Sequence, residues 1–363
     1  MSIDQRLQKL HRRLQEKGLD AILVSQPVNC RYLTGFTGSA ATLIVSPGSA
    51  VLGTDAIHFE QAKAETTCCD VLLIRNRLDG LAELVRGKSI QTLGVEADNL
   101  SYSEACRLMD VAQKLRLQIV PTEGLVQSVR AVKEDEEISH LSRAAAIADS
   151  ACNYIADEIH PGMSEKETAW KLERFLRENG SEVVPFDLIV ASGPNAALPH
   201  ARPTERIISE GEPIVVDLGA RVNGYASDLT RTLCLGTPGD TFTKTYDLVL
   251  RAQLAALQNI ASGMTGEEAD RFARQIVEDA GYGHAFGHGL GHGIGLDVHE
   301  EPALRPNSKH PLTDQMVFTV EPGVYLPGWG GVRIEDTAML ERGKLKTLTA
   351  ARKWKGSLET PGQ

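Results

Sequence analysis

Hydrophobic and polar positions in the first 130 residues alternate between two periods. Short apolar runs rich in β-branched residues predict strands, and segments with apolar residues at helical spacing predict helices between them. The predicted strands are 20–25, 41–46, 71–76 and 93–97, and the predicted helices are 59–66 and 101–115. This alternation predicts an α/β domain with a mainly buried sheet at residues 1–130.

A long helix is predicted next, over residues 131–159. Its start, AVKEDEE, is charged, and apolar residues at helical spacing follow. Such a charge run is typical of a solvated face at a domain boundary, so we place the boundary near residue 131. We expect the second domain to span residues 131–356 and to be followed by a polar tail at 357–363.

The second domain contains an internal repeat, in which residues 162–180 match residues 263–281 at an offset of 101. Both copies begin with Gly-Met and then Ser164 or Thr265, each followed three residues later by a glutamate, which predicts two capping boxes. Both end with a glycine suited to the left-handed position after a helix. An apolar helix precedes each copy and strand-like segments follow, so we predict two similar α/β halves with a site between them.

Composition narrows the classes of function. The chain has 363 residues, 42% of them hydrophobic, and a formal net charge of −10. It lacks the Lys/Arg-rich run that follows a nucleic-acid backbone, so we expect no nucleic-acid partner. We also expect no signal peptide and no membrane span. The six cysteines have no CxxC spacing, which favours reduced thiols in a cytoplasmic protein.

Two aspartates in the segment 214–236 are the first candidates for chemistry. The β-rich arms of this segment flank Asn223-Gly224, a strong type I′ turn signal. If those two residues form the loop, Asp217 pairs with Thr230 across the hairpin. Asp217 and Asp228 are then diagonal neighbours on one face, with Cα atoms roughly 7–8 Å apart.

Two carboxylates at that separation repel each other unless a cation lies between them. Asp217 is also flanked by apolar residues, and a buried aspartate without a partner is costly. The same register places Gly219 opposite Asp228, and we expect the missing side chain to leave room there for an ion or ligand.

The segment 316–340 supplies two further acids. Two strand-like arms are separated by LPGWGG; Glu321 closes the first arm and Glu335 lies in the second. Their separation of 14 is even, so both can face the same side of a hairpin. Arg333 shares that face and can neutralise an acid or hold a substrate carboxylate. Asp336 alternates to the opposite face, where we expect it to support the ligands or to have a structural role.

The stretch GHGLGHGIGLDVHE at 287–300 carries three histidines and five glycines. It fails the GxGxxG pattern in every register, and its glycines disfavour a helical zinc motif. In an extended chain His288, His292 and the apolar residues between and after them share one face. The glycines line the other face and allow backbone or ligand to approach closely.

Four carboxylates and at least one imidazole form a hard, oxygen-rich set of ligands. Such a set suits two divalent ions such as Mn²⁺, Fe²⁺ or Co²⁺ better than a structural zinc, which prefers Cys and His. Two ions sharing carboxylates can generate a bridging hydroxide and stabilise the oxyanion formed when it attacks a carbonyl. The residues alone therefore indicate a dinuclear metallohydrolase, most simply of an amide.

Five segments in this order resemble the proline-specific metallopeptidases, prolidase (Xaa-Pro dipeptidase) and aminopeptidase P: VVDLGA, SDLTRT, HGLGHGIGLDVHE, VEPGVYLPG and GGVRIEDT. The resemblance covers essentially the whole chain. It implies a creatinase-like N-terminal α/β domain and a C-terminal pita-bread domain with pseudo-twofold halves. It further implies hydrolysis of the Xaa-Pro bond in dipeptides or proline-containing peptides, with two divalent ions, Mn²⁺ foremost, and a homodimer.

The resemblance implies five metal ligands. Asp217 would bind one ion, and His292 and Glu321 the other. Asp228 and Glu335 would bridge both ions. Glu321 would also serve as the general base towards the bridging hydroxide that attacks the scissile carbonyl.

The resemblance also implies residues that handle the peptide. His299 would contact the scissile carbonyl and help to stabilise the tetrahedral intermediate. His200 and His288 would lie near the substrate's proline. Tyr325 and Arg333 match positions that contact the substrate or support the ligands.

Four alternatives remain at this point. Aminopeptidase P, which releases the N-terminal residue of longer Xaa-Pro peptides, shares the ligands, although the chain length and compact N-terminal domain favour prolidase. A creatinase-type hydrolase works without metals, and a non-catalytic peptide-binding pseudo-peptidase typically loses ligands, so the complete set argues against both. A methionine aminopeptidase is disfavoured by the extra N-terminal domain and the histidine pattern.

Overall fold

The computed structural model describes residues 3–75 and 80–354, which fall into two units that meet in sequence at Arg130 and Ala131. No helix in those residues is long and apolar enough to cross a membrane. The polar tail predicted at 357–363 lies outside the described residues, as does Asn76, the last residue of one predicted strand.

The first unit is built on a six-stranded mixed sheet with the order β4-β3-β2-β1-β5-β6. Its strands are β1 Ala21–Val24, β2 Ala41–Ser46, β3 Ser49–Thr54, β4 Asp70–Leu73, β5 Thr92–Glu96 and β6 Gln118–Thr122. Its helices are α1 Ile3–Glu16, α2 Pro27–Thr34, α3 Phe59–Glu65, α4 Leu81–Leu84, α5 Tyr102–Leu115 and α6 Leu125–Arg130, with a 3₁₀ turn at Ala97–Asn99.

The four strands and two helices predicted in this unit are confirmed, but two strands were missed. β3 follows β2 after the short turn at Pro47-Gly48, where Gly48 has a φ of +70°. β6 contains Pro121, which weakens any strand prediction because proline has no N–H to donate. The sheet tolerates this proline because β6 is an edge strand.

The second unit consists of two halves, each with a helix pair and a sheet. The first half contains α7 Asp135–Glu158, α8 Glu165–Glu178, β7 Ile189–Ser192, β8 Ile214–Leu218, β9 Arg221–Val222, β10 Tyr225–Ala226 and β11 Leu229–Leu233. The second half contains α9 Asp240–Asn259, α10 Gly266–Asp279, β12 Gly291–Gly293, β13 Glu300–Leu304, β14 Val317–Val320, β15 Gly323–Leu326, β16 Gly330–Arg333, β17 Asp336–Glu341 and β18 Lys344–Thr347. Two further 3₁₀ turns lie at Gly193–Ala197 and Gly283–Ala285.

The predicted repeat is confirmed in this arrangement. α8 and α10 begin and end at positions 101 residues apart, and the antiparallel orders β7-β8-β11 and β12-β14-β17 correspond strand for strand. At the start of α10 the capping box of Thr265 and Glu268 is complete. The box predicted for α8 is half formed: Ser164 accepts from the Glu167 N–H, but the Glu167 side chain stays exposed.

Each half buries its own apolar core between helices and sheet. Leu172 of α8 and Val216 of β8 are fully buried in the first core. Val249 of α9 and Phe318 of β14 are fully buried in the second.

A buried ion pair joins the two halves. The Arg231 guanidinium in β11 lies 2.8 Å from Asp336 Oδ1 in β17, and the two side chains are 1% and 3% exposed. Arg231 also donates to the carbonyls of Thr230, Glu335 and Ala351. Asp336 receives a second cation, Lys353 Nζ, at 2.7 Å. The structural role predicted for Asp336 is confirmed.

We predict that Arg231→Met destabilises the second unit by about 3–5 kcal/mol, because it removes one partner of a buried pair. Urea unfolding followed by circular dichroism measures this change. The double variant Arg231→Met/Asp336→Leu should recover part of the loss, since it removes a buried carboxylate that has lost one of its two cationic partners and keeps Lys353. A single variant within about 1 kcal/mol of the parent protein would contradict the prediction.

Candidate metal and substrate site

The hairpin that carries Asp217 and Asp228 folds in the predicted register. Asn223 and Gly224 have φ values of 52° and 83°, as a type I′ turn requires. Asp217 pairs with Thr230 between β8 and β11, and Asp228 immediately precedes β11. The two acids therefore lie on one face of the hairpin, at the edge that meets the other half.

The role predicted for Gly219 is wrong. A Cβ at this position would meet the Ser227 carbonyl and lie 2.8 Å from the Phe186 ring and 2.8 Å from Pro185. The missing side chain therefore permits protein packing and leaves no room for a ligand. Room for a cation lies instead among Asp217, Asp228 and Glu335, whose ligand atoms are all within 4.8 Å of one another.

The two-arm hairpin predicted for this segment is confirmed, and its register places Glu321 opposite Glu335, with a short break between strands in each arm. β14 pairs with β17 and β15 with β16 in one continuous register, since Val320 is paired with Asp336 and Gly323 with Arg333. Glu321 follows β14 and precedes Pro322, which has no N–H to continue the ladder. Glu335 follows β16 by two residues and precedes β17.

Hydrogen bonds from other elements fix these two acids. The Glu335 N–H donates to the Thr230 carbonyl at 3.1 Å, and Thr230 Oγ1 donates to Glu335 Oε2 at 2.6 Å. The Glu321 N–H donates to the Leu290 carbonyl at 2.8 Å, and Thr319 Oγ1 donates to Glu321 Oε1 at 2.9 Å. Both carboxylates are therefore oriented before any ligand binds.

The histidine-rich strip is only partly extended, so the shared face predicted for it is wrong. β12 covers three residues, and Leu290 and Ile294 are fully buried while the histidines line a cavity. Bends at His288 and Leu290 break the alternation. The close approach predicted for the glycines is confirmed, since a Cβ on Gly291 would meet the Thr319 carbonyl.

His292 presents one ring nitrogen to the acids. Its Nδ1 lies 3.1 Å from the Gly293 carbonyl, which assigns the proton to Nδ1 and leaves the Nε2 lone pair available. Nε2 lies 3.3 Å from Glu321 Oε1 and 3.7 Å from Asp228 Oδ2. This tautomer is the one a metal-binding histidine uses.

One cavity of about 520 Å³ is lined by every site residue predicted from the sequence. The structure therefore brings together residues from both halves of the second unit. These residues are His200, Asp217, Asp228, His288, His292, His299, Glu321, Tyr325, Arg333 and Glu335.

A chain of hydrogen bonds connects the peptide-handling residues to the acids. Arg333 Nη2 lies 2.6 Å from Asp217 Oδ2, and Arg333 Nη1 donates to the Tyr325 hydroxyl at 2.9 Å. That hydroxyl lies 3.0 Å from His288 Nε2, while His288 Nδ1 lies 2.8 Å from the Gly289 carbonyl. Tyr325 therefore donates to His288 and accepts from Arg333.

The remaining two histidines are more open to solvent. His299 is exposed, and the centre of its ring lies 4.3 Å from that of His292. His200 is exposed on the loop that follows the 3₁₀ turn Gly193–Ala197. A substrate in the cavity can reach both rings.

Burial and mutual repulsion shift the protonation of the acids. Burial, together with the charges of Glu335, Asp217 and Glu321, raises the pKa of Asp228 well above its usual value. Burial and the charges of Glu321 and Asp217 do the same for the pKa of Glu335. Burial raises the pKa of Glu321 and lowers that of His292. Cations entering the site must therefore displace protons.

The donor set fits divalent cations. Asp217 Oδ1 and Glu335 Oε1 are buried, and no group in residues 3–75 or 80–354 donates a hydrogen bond to either atom. A buried acceptor without a donor is costly, and a cation between the carboxylates satisfies both. The oxygen-rich set with a single imidazole suits hard divalent ions.

Sequence reasoning missed the threonines that orient the ligands. Thr230 lies two residues after Asp228, and Thr319 lies two residues before Glu321. Thr319 Oγ1 also accepts the His292 N–H at 3.0 Å, so it fixes ligands from two strands. The signal was a threonine two positions from an acid in a strand, where both side chains share a face.

Four charged residues around the cavity were also missed. Arg202 and Arg305 are exposed on its wall. Asp270 and Arg274 of α10 form an ion pair at 2.6 Å that holds the histidine-rich strip: Arg274 donates to the His288 carbonyl, and Asp270 accepts the Leu290 N–H. These residues lie on other elements, so no local pattern connects them with the site.

Comparisons with known proteins agree with this geometry. Residues 139–342 match the sequence model of metallopeptidase family M24, and residues 6–132 match that of the creatinase/prolidase N-terminal domain. The chain belongs to metallopeptidase family M24. Membership of this metallopeptidase family implies divalent metal ions as cofactors, in agreement with the cluster of acids.

Relatives of this M24 metallopeptidase match it over nearly its whole length. A Xaa-Pro dipeptidase from Pyrococcus furiosus is 36% identical over 346 residues, which are 95% of this chain and 97% of the relative. The structure of a Xaa-Pro dipeptidase from Bacillus anthracis superposes with a TM-score of 0.92 at 39% identity, covering 97% of this chain and 99% of the other. An X-Pro aminopeptidase from Thermotoga maritima gives a TM-score of 0.88 at 36% identity, covering 96% and 98%. The predicted combination of a creatinase-like domain and a pita-bread domain is confirmed.

We predict that metal binding releases protons, because the acids with raised pKa values hold protons that the cations displace. Affinity for Mn²⁺ should therefore rise as the pH rises above the usual pKa range of carboxylic acids, because the pKa values of Asp228, Glu321 and Glu335 are raised. Calorimetric titration of the metal-free protein in two buffers of different ionisation enthalpy measures the protons released. Asp228→Asn should release fewer protons than the parent protein, and a heat independent of the buffer would contradict the prediction.

Proposed function

We propose that this metallopeptidase hydrolyses the Xaa-Pro bond of dipeptides with two divalent ions, Mn²⁺ foremost. The observation that carries the proposal is the cavity in which Asp217, Asp228 and Glu335 present ligand atoms within 4.8 Å of one another beside His292 and Glu321. The dipeptidases of similar sequence and structure from Pyrococcus furiosus and Bacillus anthracis support the choice of substrate.

Each ligand has a distinct place in the proposal. Asp217 would hold one ion, His292 and Glu321 would hold the other, and Asp228 and Glu335 would be shared between them. Ions held there would supply an activated water molecule as the nucleophile and would polarise the scissile carbonyl. The proline amide has no N–H and a restricted backbone, so a site shaped for it handles a bond that suits general peptidases poorly.

The residues around the ions move protons and orient the peptide. Glu321 accepts the proton of the attacking water, because its carboxylate is held by Thr319 and faces the cavity. His299, exposed beside His292, donates to the oxyanion of the tetrahedral intermediate. His288 and His200 line the cavity where the proline ring packs. Tyr325 and Arg333 hold the His288 ring and the Asp217 carboxylate in place.

We predict that Glu335→Ala abolishes Mn²⁺-stimulated hydrolysis of Ala-Pro, because it removes a ligand shared by both ions. Proline release measures the activity, and metal content is measured on the same samples. Glu341→Ala, an exposed change on the neighbouring strand β17, is the matched control and should keep full activity. Unchanged activity in Glu335→Ala would refute the metal assignment.

Dipeptidase and aminopeptidase substrates differ on the C-terminal side of the proline. A dipeptide ends there in a free carboxylate, and Arg202 and Arg305 are exposed cations on the cavity wall that can bind it. The similarity to an aminopeptidase from Thermotoga maritima makes release of the first residue from longer peptides the second candidate. A comparison of Ala-Pro with Ala-Pro-Ala separates the two.

We predict that the enzyme prefers Ala-Pro to Ala-Pro-Ala and that Arg305→Met reduces this preference. Loss of a charged hydrogen bond to the carboxylate should raise KM for Ala-Pro about 10-fold or more and change KM for Ala-Pro-Ala less. Arg202→Met tests the second cation, and Arg251→Met on the exposed face of α9 is the control. Faster hydrolysis of the tripeptide by the parent enzyme would favour the aminopeptidase function.

A further inference from the structure

One wall of the cavity is the segment Ser192–Thr204, which starts at the last residue of β7 and then leaves the sheet as a loop. Pro199, His200, Ala201 and Arg202 of this loop line the cavity. The Pro199 carbonyl also accepts a hydrogen bond from Arg333 Nη1 at 3.2 Å. The position of this loop therefore sets where His200 meets a substrate.

Glu165, the first residue of α8, holds both ends of that loop. Its carboxylate is fully buried. Oε1 accepts the Ser192 N–H at 2.7 Å and the Ser192 hydroxyl at 2.9 Å. Oε2 accepts the Thr204 N–H at 3.0 Å and the Thr204 hydroxyl at 2.7 Å. The Asn195 amide lies 3.1 Å from both oxygens, so a single side chain ties the beginning, middle and end of the loop together.

The loop also rests on a strand that leads directly to the site. A Cβ on Gly331 of β16 would meet the Ala196 carbonyl, and one on Gly330 would lie 2.8 Å from the Gly193 carbonyl. The loop backbone therefore packs closely against β16, whose last residue is Arg333. The clamp at Glu165 keeps the loop seated on this strand.

The internal repeat indicates that the helix itself does not need this carboxylate. The position equivalent to Glu165 in α10 is Gly266, and a Cβ there would meet the Ala303 carbonyl. α10 nevertheless starts with a complete capping box and has the same length as α8. The buried acid therefore belongs to the one half whose loop reaches the cavity with His200.

We infer that Glu165 is a positioning residue, which acts through the Ser192–Thr204 loop to hold His200 where the substrate's proline binds. The inference rests on the proposed Xaa-Pro peptidase function. Every hydrogen bond to the Glu165 carboxylate comes from a donor. Glutamine has nearly the same size and shape, but its NH₂ group is itself a donor and cannot accept the hydrogen bonds made to one of the two carboxylate oxygens. The loop is then released while the five metal ligands keep their own supports.

The test compares Glu165→Gln with Glu167→Gln, an exposed change two residues later on the same helix. With Ala-Pro and Mn²⁺, Glu165→Gln should raise KM on the order of 10-fold and change kcat less than about 3-fold. Mn²⁺ affinity measured by calorimetry should stay the same, and Glu167→Gln should match the parent enzyme. An unchanged KM in Glu165→Gln would overturn the inference, as would equal losses of metal affinity and activity.

A double-mutant cycle with His200→Ala identifies the residue through which Glu165 acts. In the His200→Ala background, Glu165→Gln should raise KM less than about 2-fold, because the side chain that it positions is already gone. Full additivity of the two changes would overturn the inference. If Glu165→Gln fails to fold, Asn195→Ala, which removes one shared donor, takes its place in the cycle with the same expectation.

The activity of the parent enzyme distinguishes a failure of the proposed function from a failure of the positioning role. A parent enzyme that does not cleave Ala-Pro or Ala-Pro-Ala refutes the function itself. A parent enzyme that cleaves them and a Glu165→Gln variant that behaves like it refute only the positioning role.

Discussion

Mutual repulsion among four acids in one buried cavity is the constraint on which the second unit depends. Asp217, Asp228, Glu321 and Glu335 face one another, and within the described residues Arg333, bonded to Asp217, is the cation in direct ion-pair contact with the group. The chain cannot avoid this arrangement and still hold the divalent ions that membership of its family implies. It therefore supplies supports that hold the carboxylates at fixed positions: strand pairing, threonine hydroxyls and the buried pair of Arg231 and Asp336 behind them.

The internal repeat explains how two halves meet this constraint with the same parts. Asp228 immediately precedes β11, and Glu335 immediately precedes the equivalent strand β17. Two residues after each acid comes a threonine that bonds to the other half. Thr230 donates to the Glu335 carboxylate, and Thr337 donates to the Asp228 carbonyl at 2.8 Å. The symmetry ends at the peptide-binding side, where Glu165 and its loop serve one half and the Asp270–Arg274 pair serves the other.

The sequence predicted those parts of the site that depend on residues close together in the chain. The Asn223-Gly224 turn fixed the register of Asp217, and the matching segments revealed the repeat. The prediction went wrong at Gly219 and at Leu290, because their surroundings come from distant segments: Phe186 and Pro185 pack on Gly219, and bends turn Leu290 into the core. The role of Glu165 was not predicted for the same reason, since its six hydrogen bonds come from residues 27 to 39 positions away.

The reciprocal bonds of Thr230 and Thr337 have a consequence for the sequence of the chain. Each copy of the repeat donates a threonine hydrogen bond to the acidic residue of the other copy. A substitution of either threonine therefore affects the position of an acid in the opposite half. The sequences of the two repeat copies therefore constrain each other at these positions. Loss of either copy would remove both an acid of the site and the hydrogen bond that positions an acid in the other copy.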